Sequence, residues 1–122
     1  MGTSCYIGIK NEDDSIDAIY CNFDGYPQYT QALLKKFYNS TIKARELISL
    51  GSISVLKEKA FPSGNNHSYA TPEQKVTIAY HRDKGEDLEI NRFVDTEEYI
   101  NEVKDFVSFI YLFEDGEWKL LR

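Results

Sequence analysis

The stretch that decides the fold is Ile19-Tyr20-Cys21-Asn22-Phe23-Asp24-Gly25-Tyr26-Pro27. Its first half is apolar and aromatic, as in a buried strand, and Asp24-Gly25 then favours a sharp turn. Pro27 is tolerated in the first turn of a helix, where the missing N–H costs nothing. The stretch therefore predicts a strand-to-helix corner with several aromatic and polar side chains, which is a common location for ligand contacts.

Alternating residues upstream of this corner predict an N-terminal hairpin of strands Thr3–Lys10 and Ile16–Phe23 around a polar turn. A turn symmetric about Asp13 sets a register with three facing pairs: Cys5–Cys21, Tyr6–Tyr20 and Ile7–Ile19. One face is then apolar and forms the core side. The other face carries the polar and aromatic side chains of Ser4, Tyr6, Tyr20 and Asn22.

The rest of the chain predicts an α+β fold in a single domain that covers residues 1–122. A helix pair follows the hairpin, with Ser40-Thr41 available as a cap between the helices and Gly51 ending the second. Asp95 and Glu98 have capping-box spacing, which predicts a short third helix through about Val103. Further strands are predicted at Lys75–His81, Leu88–Phe93 and Phe106–Phe113, and after the hairpin turn Asp115-Gly116. Together they give an antiparallel sheet of about five to six strands.

The net charge of −6 is concentrated in the second half of the chain. Basic and acidic residues balance at seven each through Phe61, whereas seven basic and thirteen acidic residues follow from Pro62 onward. Binding to nucleic-acid backbones depends on clustered Lys and Arg, so direct nucleic-acid binding is not expected. No stretch has the length of a membrane span and no signal peptide is evident, so we expect a cytoplasmic protein.

Catalytic and metal signatures are weak. Two cysteines with two histidines do not make a zinc pattern, and in a reducing cytosol Cys5 and Cys21 are expected to be small apolar core residues rather than a redox pair. His67 lies in the loop Phe61–Pro72, which is expected to be exposed and mobile, and His81 is expected at a strand end. No nucleophile elbow or phosphate loop occurs. The sequence predicts no catalytic residue, no metal and no cofactor, with an enzyme left open as an alternative.

The candidate ligand-binding residues combine aromatic rings with polar and cationic groups. Tyrosine offers a flat apolar ring and a polar tip, and arginine matches phosphate oxygens bidentately. Arg82 and Arg92 flank a predicted second hairpin, and each has surface pairing with a nearby acidic residue as its alternative role. The full candidate set is Tyr6, Tyr20, Asn22, Asp24, Tyr26, Arg82 and Arg92.

The corner resembles a motif in a widespread family of small proteins encoded by phages and prophages. The family pattern Y-C-x-(F/W)-D-G-Y matches Tyr20–Tyr26, and a later L-I-x-L-G-x-(I/L)-S pattern matches Leu47–Ser54. An aromatic ending similar to that of the family lies at Ile110–Trp118. Many members carry an aromatic-Gly-Arg-Asp segment where this chain has Tyr80-His81-Arg82-Asp83, so the glycine is missing.

This resemblance implies an accessory phage protein directed at host defence. By analogy with unrelated phage proteins, the leading hypothesis is a protein that sequesters a nucleotide-derived immune signal without cleaving it. One alternative is a protein–protein inhibitor that docks its acidic second half on a basic host surface, and another is an enzyme that degrades the signal. A homo-oligomer with a pocket shared between subunits stays open.

Overall fold

The computed structural model describes residues 3–64 and 67–122, and one twisted sheet organises this part of the chain. Seven strands are formed by the described residues, and their bounds are β1 Cys5–Lys10, β2 Ile16–Phe23, β3 Ile53–Val55, β4 Ile78–Ala79, β5 Asn91–Phe93, β6 Phe109–Glu114 and β7 Glu117–Leu120. Their order across the sheet is β4-β3-β2-β1-β6-β7, and β5 pairs with the first half of β2. The α+β class is confirmed.

The predicted register of the N-terminal hairpin is confirmed at all three pairs, Cys5–Cys21, Tyr6–Tyr20 and Ile7–Ile19. The sheet departs from the predicted all-antiparallel arrangement at two places. β1 pairs with β6 in parallel, and β2 pairs with β3 in parallel. Helices lie between the members of each parallel pair in the chain, because parallel neighbours need a crossover connection.

Four α-helices accompany the sheet in the described residues: α1 Ala32–Phe37, α2 Thr41–Ile48, α3 Tyr80–Lys84 and α4 Thr96–Val103. A π-helical turn at Pro27–Gln31 leads directly into α1, so the predicted helix after Pro27 is confirmed with a wider first turn. Ser40 caps α2 by accepting a hydrogen bond from the Lys43 N–H, and Gly51 takes a left-handed φ of 74° beyond its end. These local signals position the helix pair as predicted.

Both faces of the sheet carry an apolar core, whereas the sequence predicted one core face. The face of Ile7, Ile19 and Cys21 packs against α1 and α2. The face of Ile16 and Ala18 packs against Tyr99 and Val103 of α4, so part of the expected open face is covered.

The predicted corner after β2 is confirmed. Asp24, and not the glycine, has the positive φ at this corner, 58°. Gly25 is needed for space, because a Cβ there would lie 2.8 Å from the Cys5 Cβ and 2.9 Å from the Thr3 carbonyl oxygen. The Gly25 N–H donates to that same carbonyl at 2.7 Å, which ties the corner to the start of β1.

The predicted strand Lys75–His81 is wrong on both sides of its centre. Only Ile78–Ala79 is a strand, and α3 begins at Tyr80. The Asp83 carboxylate accepts a hydrogen bond from the Ala79 N–H at 2.8 Å, which closes the chain into a helical turn. His81 therefore lies in a helix and not at a strand end. The second hairpin does not form either, because β5 pairs with β2 and not with β4.

Candidate functional site

The structure brings three of the predicted residues together on the α4 side of the sheet. The rings of Tyr6 and Tyr20 meet edge to face with centroids 5.7 Å apart. The Tyr20 hydroxyl donates to the Asn22 Oδ1 at 3.3 Å. We call Tyr6, Tyr20 and Asn22 the tyrosine face, and its grouping follows from the confirmed hairpin register.

Two residues outside the predicted set extend the tyrosine face. The Asn22 Nδ2 donates to the Tyr80 hydroxyl at 3.1 Å, and the Asn91 Nδ2 donates to the Tyr6 hydroxyl at 3.0 Å. Tyr80 lies at the start of α3, which the sequence had assigned to a strand. Asn91 is brought in by the pairing of β5 with β2, a long-range contact for which the chain carries no local signal.

A cavity of about 550 Å³ opens beside this face between Tyr20 and Tyr80. Its other lining residues are Ser52, Gly85, Glu86, Asp87 and Glu89. We call it the acidic cavity, because three carboxylates line it and no lysine or arginine does. Lys84 pairs with Glu86 at 3.3 Å, whereas Asp87 and Glu89 have no basic partner within 4 Å among the described residues.

The electrostatics of the tyrosine face follow from burial and from these carboxylates. Burial is the main cause that raises the pKa of Tyr6, and the negative charge of Glu89 raises it further. The hydrogen bond from Asn91 acts in the opposite direction. Tyr6 is therefore a neutral hydroxyl at physiological pH, and the field around it is negative.

Arg92 does not reach the tyrosine face. It lies opposite Asp17 in the β2–β5 pairing, and its Nε and Nη2 atoms bind the two Asp17 carboxylate oxygens at 2.8 and 3.1 Å. Asp17 alternates with Ile19 and so belongs to the α2 side of the sheet, where Arg45 also approaches it at 3.6 Å. The hydrogen bond from Arg92 is the main cause that lowers the Asp17 pKa.

Arg82 is also committed to internal contacts. Its Nε donates to Asp83 at 2.7 Å, and its Nη2 donates to the Thr77 carbonyl at 2.6 Å. A further hydrogen bond joins Arg82 to the Ala60 carbonyl. The Arg82 guanidinium thus connects α3 with the chain at Ala60 and at Thr77. To bind a phosphate as predicted, it would have to break these hydrogen bonds.

The His67 side chain is buried, although most of the described residues of the loop that carries it are exposed, as we expected. Its Nδ1 accepts from the Glu73 N–H at 2.9 Å, and its Nε2 lies 2.9 Å from the Asp83 Oδ2. The side chains of His67 and Asp83 are each 2% exposed. Both ring nitrogens are therefore occupied, which leaves no free lone pair for general-base catalysis.

Asp83 is the centre of this buried network. Burial opposes its ionisation, but hydrogen bonds from Arg82, the Ala79 N–H and His67 outweigh burial and lower its pKa. A carboxylate that is held ionised by three donors stabilises the loop and α3 rather than acting as an acid or base.

Asp24 and Tyr26 are exposed at the corner, apart from the tyrosine face. The Asp24 carbonyl accepts from the Thr30 hydroxyl at 2.6 Å, which holds the π-helical turn. The ring of Tyr26 lies 6.1 Å from that of Tyr29 and is 38% exposed. These two predicted residues lie at the start of the first helical segment and do not line the acidic cavity.

Cys5 and Cys21 are buried free thiols on the core side of the hairpin. Burial raises the pKa of Cys5 well above its ordinary value, and the neighbouring Cys21 adds to the shift. A thiol without thiolate character is a poor nucleophile or metal ligand, so Cys5 acts as a small apolar core residue, and Cys21 is fully buried in the same core.

Other features of the described residues add no chemistry. A depression of about 940 Å³ around the β1–β2 turn is lined by charges of both signs and by no aromatic ring. No group of three or more His, Cys, Asp or Glu side chains in residues 3–64 and 67–122 is placed to hold a metal ion. Among the same residues, no helix has the length and apolar character to cross a membrane.

Comparison of the chain with protein-family models, with curated proteins and with solved structures found no match.

Proposed function

We propose that this protein acts by binding and sequestering a target, without catalysis, in the anti-defence role that the phage resemblance suggests. The target that the geometry of the tyrosine face supports best is a basic surface of a host protein. In this proposal a lysine or arginine side chain of that partner enters the acidic cavity between Tyr20 and Tyr80.

The observation that carries the proposal is the combination of rings and carboxylates in one cavity that no lysine or arginine lines, with Lys84 at its edge. Aromatic faces attract ammonium and guanidinium groups, and carboxylates bind them with charge-assisted hydrogen bonds. The chain already shows this preference next to the cavity: the Lys84 ammonium lies 4.9 Å from the Tyr69 ring centroid and 6.0 Å from that of Tyr80. Leu88 and Ile90 are exposed nearby in sequence and offer apolar contact to the same partner.

A nucleotide-derived immune signal is the second candidate target. Tyr6 and Tyr20 offer rings on which a base can stack. However, the two arginines that were predicted to hold its phosphates are paired elsewhere, and the carboxylates of the acidic cavity would repel phosphate. A nucleotide needs aromatic rings and unpaired cations in one site. The tyrosine face lacks such cations, whereas a groove along α1 has both.

The proposal is tested by calorimetric titration with an arginine-rich peptide at two salt concentrations. We expect binding that weakens steeply with salt, because the attraction is between exposed charges. Glu86→Gln, Asp87→Asn and Glu89→Gln combined should weaken it about tenfold or more, since several charge-assisted contacts are lost.

A matched control removes three negative charges away from the cavity, at the exposed residues Glu97, Glu102 and Glu117. Glu→Gln at these positions should leave the affinity close to that of the parent protein. Equal weakening in both triple variants would show that only net charge matters, and the acidic cavity would not be the binding site.

A further inference from the structure

A groove on the other side of the sheet combines rings with lysines. One wall is the row Tyr29, Leu33 and Phe37, which are spaced four residues apart along the π-helical turn and α1 and so share one side. The other wall is the segment 57–61 that follows β3. The groove has two parts of about 310 and 250 Å³, and Glu58 lines both. We call it the lysine groove.

Hydrogen bonds fix both walls of the lysine groove. The Tyr29 hydroxyl donates to the Leu56 carbonyl at 2.7 Å, and the Tyr38 hydroxyl donates to the Lys57 carbonyl at 2.7 Å. The two tyrosines come from the helical wall and hold the chain that forms the opposite wall. The shape of the groove is therefore built into the fold and does not depend on a ligand.

The charges in the groove leave two ammonium groups without a partner. Lys75 pairs with Glu58 at 3.6 Å, and Lys43 pairs with Glu46 at 3.7 Å. Lys57 lines one part of the groove and Lys59 the other. Among residues 3–64 and 67–122 neither ammonium has a carboxylate within 4 Å, although Glu73 is near enough for the charge of Lys59 to help lower its pKa. Four lysines and two glutamates line the groove, so it is positively charged although the chain has a net charge of −6.

Exposed aromatic surface completes the groove at one end. Phe61 is 47% exposed and Phe37 is half-buried, and both line the part that contains Lys59. Aromatic faces that remain accessible offer stacking surface for a planar ring. Apolar rings beside unpaired lysines match a ligand that has a planar ring at one end and phosphate at the other.

From this groove we infer a second binding site, which takes a nucleotide-derived ligand. Lys57 and Lys59 bind the phosphates, and the rings of Phe37, Phe61 or Tyr29 stack against the base. This site is separate from the acidic cavity, because it is lined from α1 whereas Tyr20 faces the α4 side of the sheet. A ligand at this site would be the second candidate target. A negative result for the basic partner at the acidic cavity would not affect this inference, since the two sites share no residue.

Calorimetric titration of the intact protein with ADP-ribose and with a cyclic dinucleotide tests the inference, with adenosine and inorganic pyrophosphate as separate arms. We expect at least one of the two nucleotides to bind, and both partial ligands to bind about tenfold or more weaker, because each makes only half of the contacts. Recovery of the ligand intact after denaturing the complex is expected for sequestration.

Lys57→Gln with Lys59→Gln should weaken nucleotide binding about tenfold or more, through the loss of two charge-assisted contacts. The control is Lys35→Gln with Lys104→Gln, which makes the same change in net charge outside the groove and should leave the affinity unchanged. Circular dichroism of both variants checks that the fold is kept. Binding of neither nucleotide, equal binding by the lysine variant, or pyrophosphate bound as tightly as the nucleotide would each overturn the inference.

Discussion

At the residue scale, Gly25 explains why a glycine follows Asp24 at the corner. Its neighbour Asp24 adopts the left-handed backbone, whereas Gly25 lets the corner approach β1 closely. Gly25→Ala should destabilise the protein by about 1–3 kcal/mol, because backbone and Cβ atoms must move to admit the new methyl group. Urea unfolding measures the change.

The control for that substitution is Asp24→Gly, at an exposed position. Glycine takes positive φ without steric strain, so this variant should be at least as stable as the parent. A Gly25→Ala protein of unchanged stability would show that the corner relaxes at no cost.

Asp83 gives a second prediction at the residue scale. Asp83→Asn leaves the partly buried Arg82 without its carboxylate and should destabilise the fold by about 1–3 kcal/mol at pH 7. The folded-state pKa of Asp83 is lowered, so its stabilising effect is present above the unfolded pKa of about 3.9 and is lost as pH falls through the folded pKa.

The difference in unfolding free energy between the parent and Asp83→Asn should therefore shrink when urea unfolding is repeated near pH 3. Asp105→Asn, at an exposed carboxylate, serves as the control and should change stability little at either pH. A difference that stays constant between the two pH values would contradict the role of Asp83 as an ionised acceptor.

At the scale of elements, α4 tests how far local signals determine a helix. Asp95 accepts from the Glu98 N–H at 2.8 Å, as the spacing predicted. Asp95→Ala should destabilise the protein by about 0.5–2 kcal/mol, since one helix N–H loses its acceptor. Thermal or urea unfolding measures this loss.

Glu102→Ala is the comparison within the same helix. Glu102 is exposed and caps nothing, so its replacement should change stability by less than about 0.5 kcal/mol. A loss of less than about 0.5 kcal/mol in Asp95→Ala, as small as that expected for Glu102→Ala, would contradict a stabilising cap at Asp95.

Elements with strong local signals were predictable from the sequence, and those decided by distant contacts were not. The hairpin register, the cap of α2 and the turn at Asp115-Gly116 follow from patterns a few residues long, and both turn residues have the positive φ that the turn requires. In contrast, α3 interrupts the apolar alternation of Lys75–His81 because Asp83 captures the Ala79 N–H. The pairing of β5 with β2 is likewise a long-range contact without a local signature.

The same distinction explains the outcome for the candidate site. Tyr6, Tyr20 and Asn22 were grouped correctly, because alternation along paired strands fixes the face on which each side chain lies. Arg92 lies on the opposite face for the same reason, once its pairing with Asp17 is known. The acidic cavity was not predictable, because α3 and the segment after it place Tyr80 and the carboxylates beside Tyr20.

At the scale of the whole molecule, the sheet separates two surfaces of opposite charge. The acidic cavity lies beside the α4 face, and the lysine groove runs along α1. A cationic partner and an anionic ligand should therefore bind at the same time. Titration of the peptide in the presence of saturating nucleotide should give the affinity measured without it, whereas strong competition would indicate one shared site.

The most direct test of the central claim is backbone amide NMR during titration with an arginine-rich peptide. Binding in the acidic cavity predicts the largest chemical-shift changes at Tyr20, Tyr80 and residues 85–89. Residues 57–61 of the lysine groove should change little. Shifts spread evenly over all acidic segments, or no shifts up to millimolar peptide, would contradict the claim that this cavity is the binding site.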